Sequence, residues 1–160
     1  MPSGPSDPVP WEARLSSLGL SLPPPPVPKG AYVPVVEQGG FAWVSGMLPL
    51  VEGKLRAQGL VDGEVTIPVA QECARLAVLG GLSALNHAIG GLDRVARFIR
   101  VGVFVASSPQ FVRQPEVANG ASELLRNVWG DRGAHARAAV GTTRLPLDSP
   151  VEVELLVALQ

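Results

Sequence analysis

The stretch PVAQECARLAVLGGLSALNHAI, Pro68 to Ile89, constrains the fold of this chain more than any other. It reads as one long helix. Thr66 is placed to cap its start, Pro68 suits its first turn, and Gly90-Gly91 stops it. Ala70, Ala74, Ala77, Gly81, Ala84 and Ala88 form a line of small residues along it. Such a line lets a helix lie close on a sheet, and the remainder of the chain is expected to supply that sheet.

Alternation and turn residues mark the strands. Tyr32 to Glu37 alternates weakly and carries Pro34, which predicts an edge strand. Gly39-Gly40 turns the chain into a second strand, FAWVSG, from Phe41 to Gly46. GKLRAQGL, residues 53–60, reads as a short third strand, and RFIRVGVFVAS, from Arg97 to Ser107, as a central one. Glu116 to Val128 predicts a second helix with Val117, Ala121, Leu124, Leu125 and Val128 on its inner face. Ala136 to Thr143 and Val151 to Leu159 are the last two strands, joined by a linker too long for a two-residue hairpin. The order β-β-β-α-β-α-β-β predicts an α+β fold, with one mixed sheet and both helices on one face. The other sheet face then needs a cover. A partner subunit is the simplest one, and a composition with 46% hydrophobic and only 17% charged residues agrees with it.

Ahead of this domain, residues 29–160, lies an extension over residues 1–28. Residues 1–9 are mostly Pro, Ser, Gly and Asp and are expected to be loosely held. PWEARLSSLGL suits a short helix with Trp11, Leu15 and Leu18 on one face. LPPPPVP, Leu22 to Pro28, forces an extended polyproline segment. It is either a ligand for an aromatic groove or a stiff strap over its own domain.

Several function classes are disfavoured at once. The net charge is −1, with 13 basic and 14 acidic residues and no basic run, so nucleic acid is not the expected partner. The only cysteine, Cys73, lies in the apolar helix and reads as a core residue, and no disulfide framework exists within the chain. His87 and His135 are the only histidines, no metal-ligand cluster is visible, and no metal is expected. His87 reads as structural or exposed; His135 either lines a site or lies on the surface. The first residues lack the basic and apolar regions of a leader peptide, and no apolar window spans a bilayer. A cytoplasmic protein without membrane contact is expected. There is no Walker loop and no GxGxxG, and Ser45 in SGML is not a nucleophile elbow, because no helix follows it.

Charged residues inside strands carry more information. On the last strand, Val151, Val153 and Leu155 point one way and Glu152, Glu154 and Leu156 the other. Arg137 sits among small residues in GAHARAAVG, and the two carboxylates are candidates to meet Arg137 or Arg144 across a ladder. One reading is a solvated or interfacial ion pair. The other is an arginine fork that grips an anionic substrate, with a glutamate beside it holding a water.

ARAAVGTTRLP followed by VEVELLVAL resembles the C-terminal signature of the RidA/YjgF family, an arginine, then Val, then Leu-Pro, then a strand with alternating glutamates. Tyr32, VSGMLPL and VFVAS followed by a helix containing Asn119 resemble earlier parts of the family pattern, and the likeness covers about residues 29–160. The resemblance implies a chorismate mutase-like fold in a homotrimer, with helices outside and three clefts between subunits. It implies hydrolysis of reactive enamine or imine intermediates to 2-keto acids and ammonia, without metal or organic cofactor. By the same resemblance Arg137 binds the substrate carboxylate, Glu152 positions water, and Tyr32, Ser45, Asn119 and Ala139 shape the pocket. Non-catalytic binding of a small carboxylate such as a 2-keto acid is the alternative, and the endoribonuclease or translation-inhibitor activity of older family naming the third. The chain departs from the pattern at Met47, where the family has Gln, at Ala139, where it often has Cys, and at His135, where Pro is common. Leu124 and Leu125 stand where it has aromatic residues.

Overall fold

The computed structural model describes residues 9–160, and most of the leader expected to be loosely held, residues 1–8, lies outside the described residues. Short helix α1 spans Trp11–Ser17. Then come strands β1 (Val35–Gln38), β2 (Phe41–Met47), β3 (Leu50–Val51) and β4 (Lys54–Leu55). Helix α2 (Ile67–Ile89) is followed by β5 (Val95–Ala106), helix α3 (Gln114–Trp129), β6 (Ala136–Thr142) and β7 (Val151–Leu159).

The long helix forms for the reasons its sequence states. The Thr66 hydroxyl accepts from the Val69 amide at 3.5 Å, and Gly90 ends the helix at φ 77°, a conformation that costs glycine least. Its small stripe is buried from Ala70 to Ala84, and only Ala88 lies exposed. At Gly81 a Cβ would meet Leu155 Cδ1 at 3.3 Å, which shows how near α2 lies to β7. Helix α3 lies along α2 on the same side of the sheet.

The five-stranded sheet has the order β1-β2-β7-β5-β6. All neighbours are antiparallel except β5 and β6, which run parallel. The mixed sheet with both helices on one face is therefore present, with β5 a central strand as expected and two differences in detail. The stretch expected as a third strand contributes only β4, which pairs with β3 in a separate two-stranded ladder. β6 and β7, joined by the long linker, do not pair, because β5 lies between them.

Along β7 the odd positions Val151, Val153, Leu155 and Val157 are buried under the helices. The opposite face carries no helix. There Trp43 is 47%, Val36 50% and Val140 45% exposed.

The extension is bound to the domain. The Trp11 ring stacks on Trp129 at 6.2 Å, Leu15 is buried, and Arg14 Nη1 donates to Val128 O at 3.2 Å. The polyproline segment is held by Ser83 Oγ of α2, which donates to Pro23 O at 2.5 Å. It lies against β2 and α2 of its own chain. No described helix is long and apolar enough to cross a membrane.

Candidate functional site

The expected site residues fall into two groups on different parts of the chain. The first surrounds Glu152. A cavity of about 300 Å³ is lined by Glu152, Tyr32, Gly46, Met47, Lys29 and, from the strap, Pro26 and Val27, with further apolar residues. The register of β2 on β7 steps from Val44↔Leu155 to Met47↔Val153, so Ser45 and Gly46 together face Glu154 in a bulge. Bulges re-aim side chains. This one lays the Gly46 backbone against Glu152, where a Cβ would come within 2.0 Å of Glu152 Oε1. Only a glycine leaves the carboxylate its place.

Glu152 is half-buried, and its pKa is raised above the usual carboxylate range, first by burial and then by the negative charge of Glu154. A carboxylate whose proton affinity is raised is a better acceptor for a proton from water. Glu154 itself is paired with Arg100 at 2.5 Å. The raised pKa means that the folded protein holds the Glu152 proton to higher pH than the unfolded chain does. Ionising Glu152 therefore withdraws stability as pH rises through its folded pKa. A reaction that needs the carboxylate gains over the same window. The acid limb of the activity profile is expected above the ordinary Glu pKa, and Glu154→Gln is expected to move it to lower pH by removing the like charge. A limb that stays in place in Glu154→Gln contradicts the assignment.

Gly46→Ala tests the cradle. The clash falls on the mobile end of a side chain, so stability is expected to drop by less than about 1.5 kcal/mol while the carboxylate is displaced. Thermal unfolding beside kcat measurement checks this; unchanged kcat contradicts it.

The second group surrounds Arg137 on β6. Its Nη1 donates to Asn119 Oδ1 at 2.8 Å and to Ser122 Oγ at 3.1 Å, both on α3. Arg137 is in register with Val101, and Val101 with Leu155, so its side chain rises on the helix side of the sheet. Glu152 is in register with Phe104 and lies on the helix-free side. The expectation that Arg137 or Arg144 meets the β7 carboxylates across a ladder is thus corrected. β5 separates β6 from β7, Arg100 takes Glu154, and Arg144 pairs with Asp148. The expected ion pair was read from alternation alone, which gives the face of a side chain but not the neighbour of its strand.

The remaining expected residues divide between these groups or fall outside them. Asn119 joins Arg137. Tyr32, 52% exposed, joins Glu152. Ser45 donates to Val33 O at 2.8 Å and fastens β2 to the chain entering β1. Ala139 packs on the core two residues beyond Arg137. Cys73 is fully buried, and burial pushes its thiol up to about 11, so it is protonated and inert near neutrality. His87 is exposed. Among the described residues no three metal-ligating side chains converge.

Sequence reading missed Gly46, Lys29 and Ser122. For Ser122 a signal existed, since Asn119 and Ser122 stand one turn apart on the helix that follows VFVAS. For Gly46 and Lys29 there was none, because a bulge and a strap bring them to Glu152.

Comparison with known proteins agrees with this architecture. The family model described as "YjgF/chorismate_mutase-like, putative endoribonuclease" matches residues 12–159. Protein TCP17 of Trypanosoma cruzi is 42% identical over 148 residues, 92% of either chain. The crystal structure of Atu1372 from Agrobacterium tumefaciens, a protein of unknown function, is 41% identical. It superposes with a TM-score of 0.86 over 93% of this chain and 91% of that one. A Shewanella oneidensis protein with the same endoribonuclease description is 31% identical, with a TM-score of 0.90 over 94% of this chain and 99% of that one. The matched span holds both the Arg137 and the Glu152 groups, and the chain belongs to the YjgF/chorismate mutase-like family.

Proposed function

We propose that this protein hydrolyses reactive 2-imino and enamino acids to 2-keto acids and ammonia, in clefts between the copies of a homotrimer. The observation that carries the reading is the state of Arg137. Nη1 is occupied by α3, while Nε and Nη2 make no hydrogen bond among the described residues. That leaves the edge of the guanidinium whose two N–H groups match a carboxylate.

The two groups lie on opposite faces of one sheet, so a substrate touching both needs two copies of the chain. The helix-free face, with Trp43, Val36 and Val140 exposed, supplies an apolar surface for the association. Arg137 of one copy orients the substrate by its carboxylate, and Glu152 of the next holds the water.

The chemistry asks little else. A protonated C=N carbon is already electrophilic. Water adds to it as Glu152 takes one of its protons, giving a tetrahedral carbinolamine. Return of that proton to nitrogen makes ammonia a leaving group; as the C–N bond breaks, Glu152 takes the hydroxyl proton and the C=O bond forms, and that proton passes to the departing ammonia, so the products are the keto acid and ammonium. The apolar walls of the cavity exclude competing water and strengthen both polar contacts.

Binding of a 2-keto acid without turnover is the second reading, since the same fork suffices for it. The two separate when imines generated in situ by an amino-acid oxidase are followed beside calorimetry with 2-oxobutanoate. Accelerated imine loss supports the enzyme, and binding without acceleration supports the second reading. Ribonuclease action, suggested by the names of relatives, is the third. A net charge of −1 argues against it, and RNA cleavage that persists in a purified Arg137→Ala variant would show that it does not use this site.

A further inference from the structure

His135 has no place in the reaction above, yet its ring is fixed at both nitrogens. Nδ1 lies 2.6 Å from Gly133 O, and Nε2 lies 2.9 Å from Ser122 Oγ. A backbone carbonyl only accepts, so Nδ1 carries the proton and Nε2 is bare. The Ser122 hydroxyl then donates to Nε2, and its oxygen is left to accept from Arg137 Nη1. Every proton along Arg137, Ser122, His135 and Gly133 has one place. Burial lowers the pKa of His135 and outweighs the Gly133 carbonyl bond, which raises it; the charges of Arg137 and Arg126 add to the lowering, which favours the neutral ring that this chain of bonds requires.

The network acts on an arginine that is otherwise exposed. An exposed arginine samples many rotamers, and ordering it on binding weakens affinity by up to about tenfold. Here Asn119 and Ser122 hold both protons of Nη1 before any ligand arrives, and His135 fixes which way the Ser122 hydroxyl turns.

We infer that His135 and Ser122 are positioning residues that preset the Arg137 fork for a carboxylate. This rests on the proposed function for the identity of the ligand, but not for the pinning.

The test has two arms. In the ligand-free full-length protein, nitrogen relaxation of the Arg137 side chain is expected to show order near that of a rigid backbone. In His135→Ala and Ser122→Ala the order is expected to fall into the flexible range, with an S² below about 0.6. In the second arm, calorimetry with 2-oxobutanoate and imine kinetics are expected to show about a tenfold rise in Kd and KM for both variants, with kcat within about twofold. His135→Gln, which restores an acceptor toward Ser122, is expected to recover most of the affinity. A mobile Arg137 in the wild type overturns the inference, as does unchanged affinity in both alanine variants, or a loss in kcat alone. A rigid Arg137 in a wild type that neither binds 2-oxobutanoate nor hydrolyses imines overturns the proposed function and leaves the pinning standing.

Discussion

Arg137→Ala is expected to lower kcat/KM for 2-imino acids by about a hundred- to ten-thousandfold. The figure comes from two charge-assisted hydrogen bonds to the substrate carboxylate, each contributing about 1.5–3 kcal/mol, with 1.4 kcal/mol per tenfold. The loss is expected in function alone. Arg137 is exposed, its bonds go to two polar side chains that water reaches, and its small neighbours bury little with it. Circular dichroism, the melting temperature and the sedimentation profile are expected to match the wild type. Normal turnover by this variant contradicts the role given to the arginine. Arg137→Lys separates charge from geometry: an ammonium keeps the attraction but not the planar fork, and most of the loss is expected to remain.

The second large effect is on stability. At Gly120 of α3, a Cβ would lie 2.0 Å from the carbonyl oxygen of Gln71 and 2.9 Å from its Cα. Those atoms are α2 backbone and have no rotamer to escape into. Gly120→Ala therefore forces the two helices apart where both pack on the sheet, and the Gln71 Nε2 bond to Glu116 O at 2.8 Å is stretched with them. The cost is expected at about 3 kcal/mol or more, a large share of the roughly 5–15 kcal/mol that holds a domain together. Gly80→Ala is the control. It lies on α2 with nothing within 4 Å of its added Cβ, and alanine is the better helix former by about 1 kcal/mol. Thermal unfolding is expected to fall by several degrees in the first and to hold or rise in the second. Equal behaviour of the two variants contradicts the close contact.

What could be read from the sequence was local. Thr66, Pro68 and Gly90 mark the ends of α2, because capping chemistry acts over one turn of chain. The alternation from Val151 to Leu159 gives the two faces of β7, because the pleat has a period of two. Which strands would be neighbours was not legible. The same alternation is satisfied whether β7 lies beside β6 or beside β5, and it is the registers of both strands on β5 that set Arg137 and Glu152 on opposite sides of the sheet.

The candidate site was legible in its residues and not in its division. Arg137 and Glu152 stand out in the strands and in a family signature, and their separation follows from the registers of β6 and β7 on β5. Gly46 escaped because its significance depends on a bulge, and a bulge is a mismatch between two strands that neither strand reveals by itself. Lys29, Pro26 and Val27 reach the Glu152 cavity because Ser83 holds the strap through a backbone carbonyl, a partner with no sequence signature. His135 was open between a site and the surface, because its partner Ser122 is on α3, a contact that the strand's own sequence does not encode.

The central claim is that one site is assembled from Arg137 of one copy and Glu152 of the next. Mixing two inactive variants tests it most directly. Arg137→Ala and Glu152→Gln are each prepared, unfolded and refolded together in equal amounts, and assayed for imine hydrolysis beside each variant refolded alone. In a ring where every site takes one residue from each of two copies, about a quarter of the sites in the mixture regain both groups. Recovery to about that fraction of wild-type activity is the predicted result, and a mixture as inactive as its components contradicts the account.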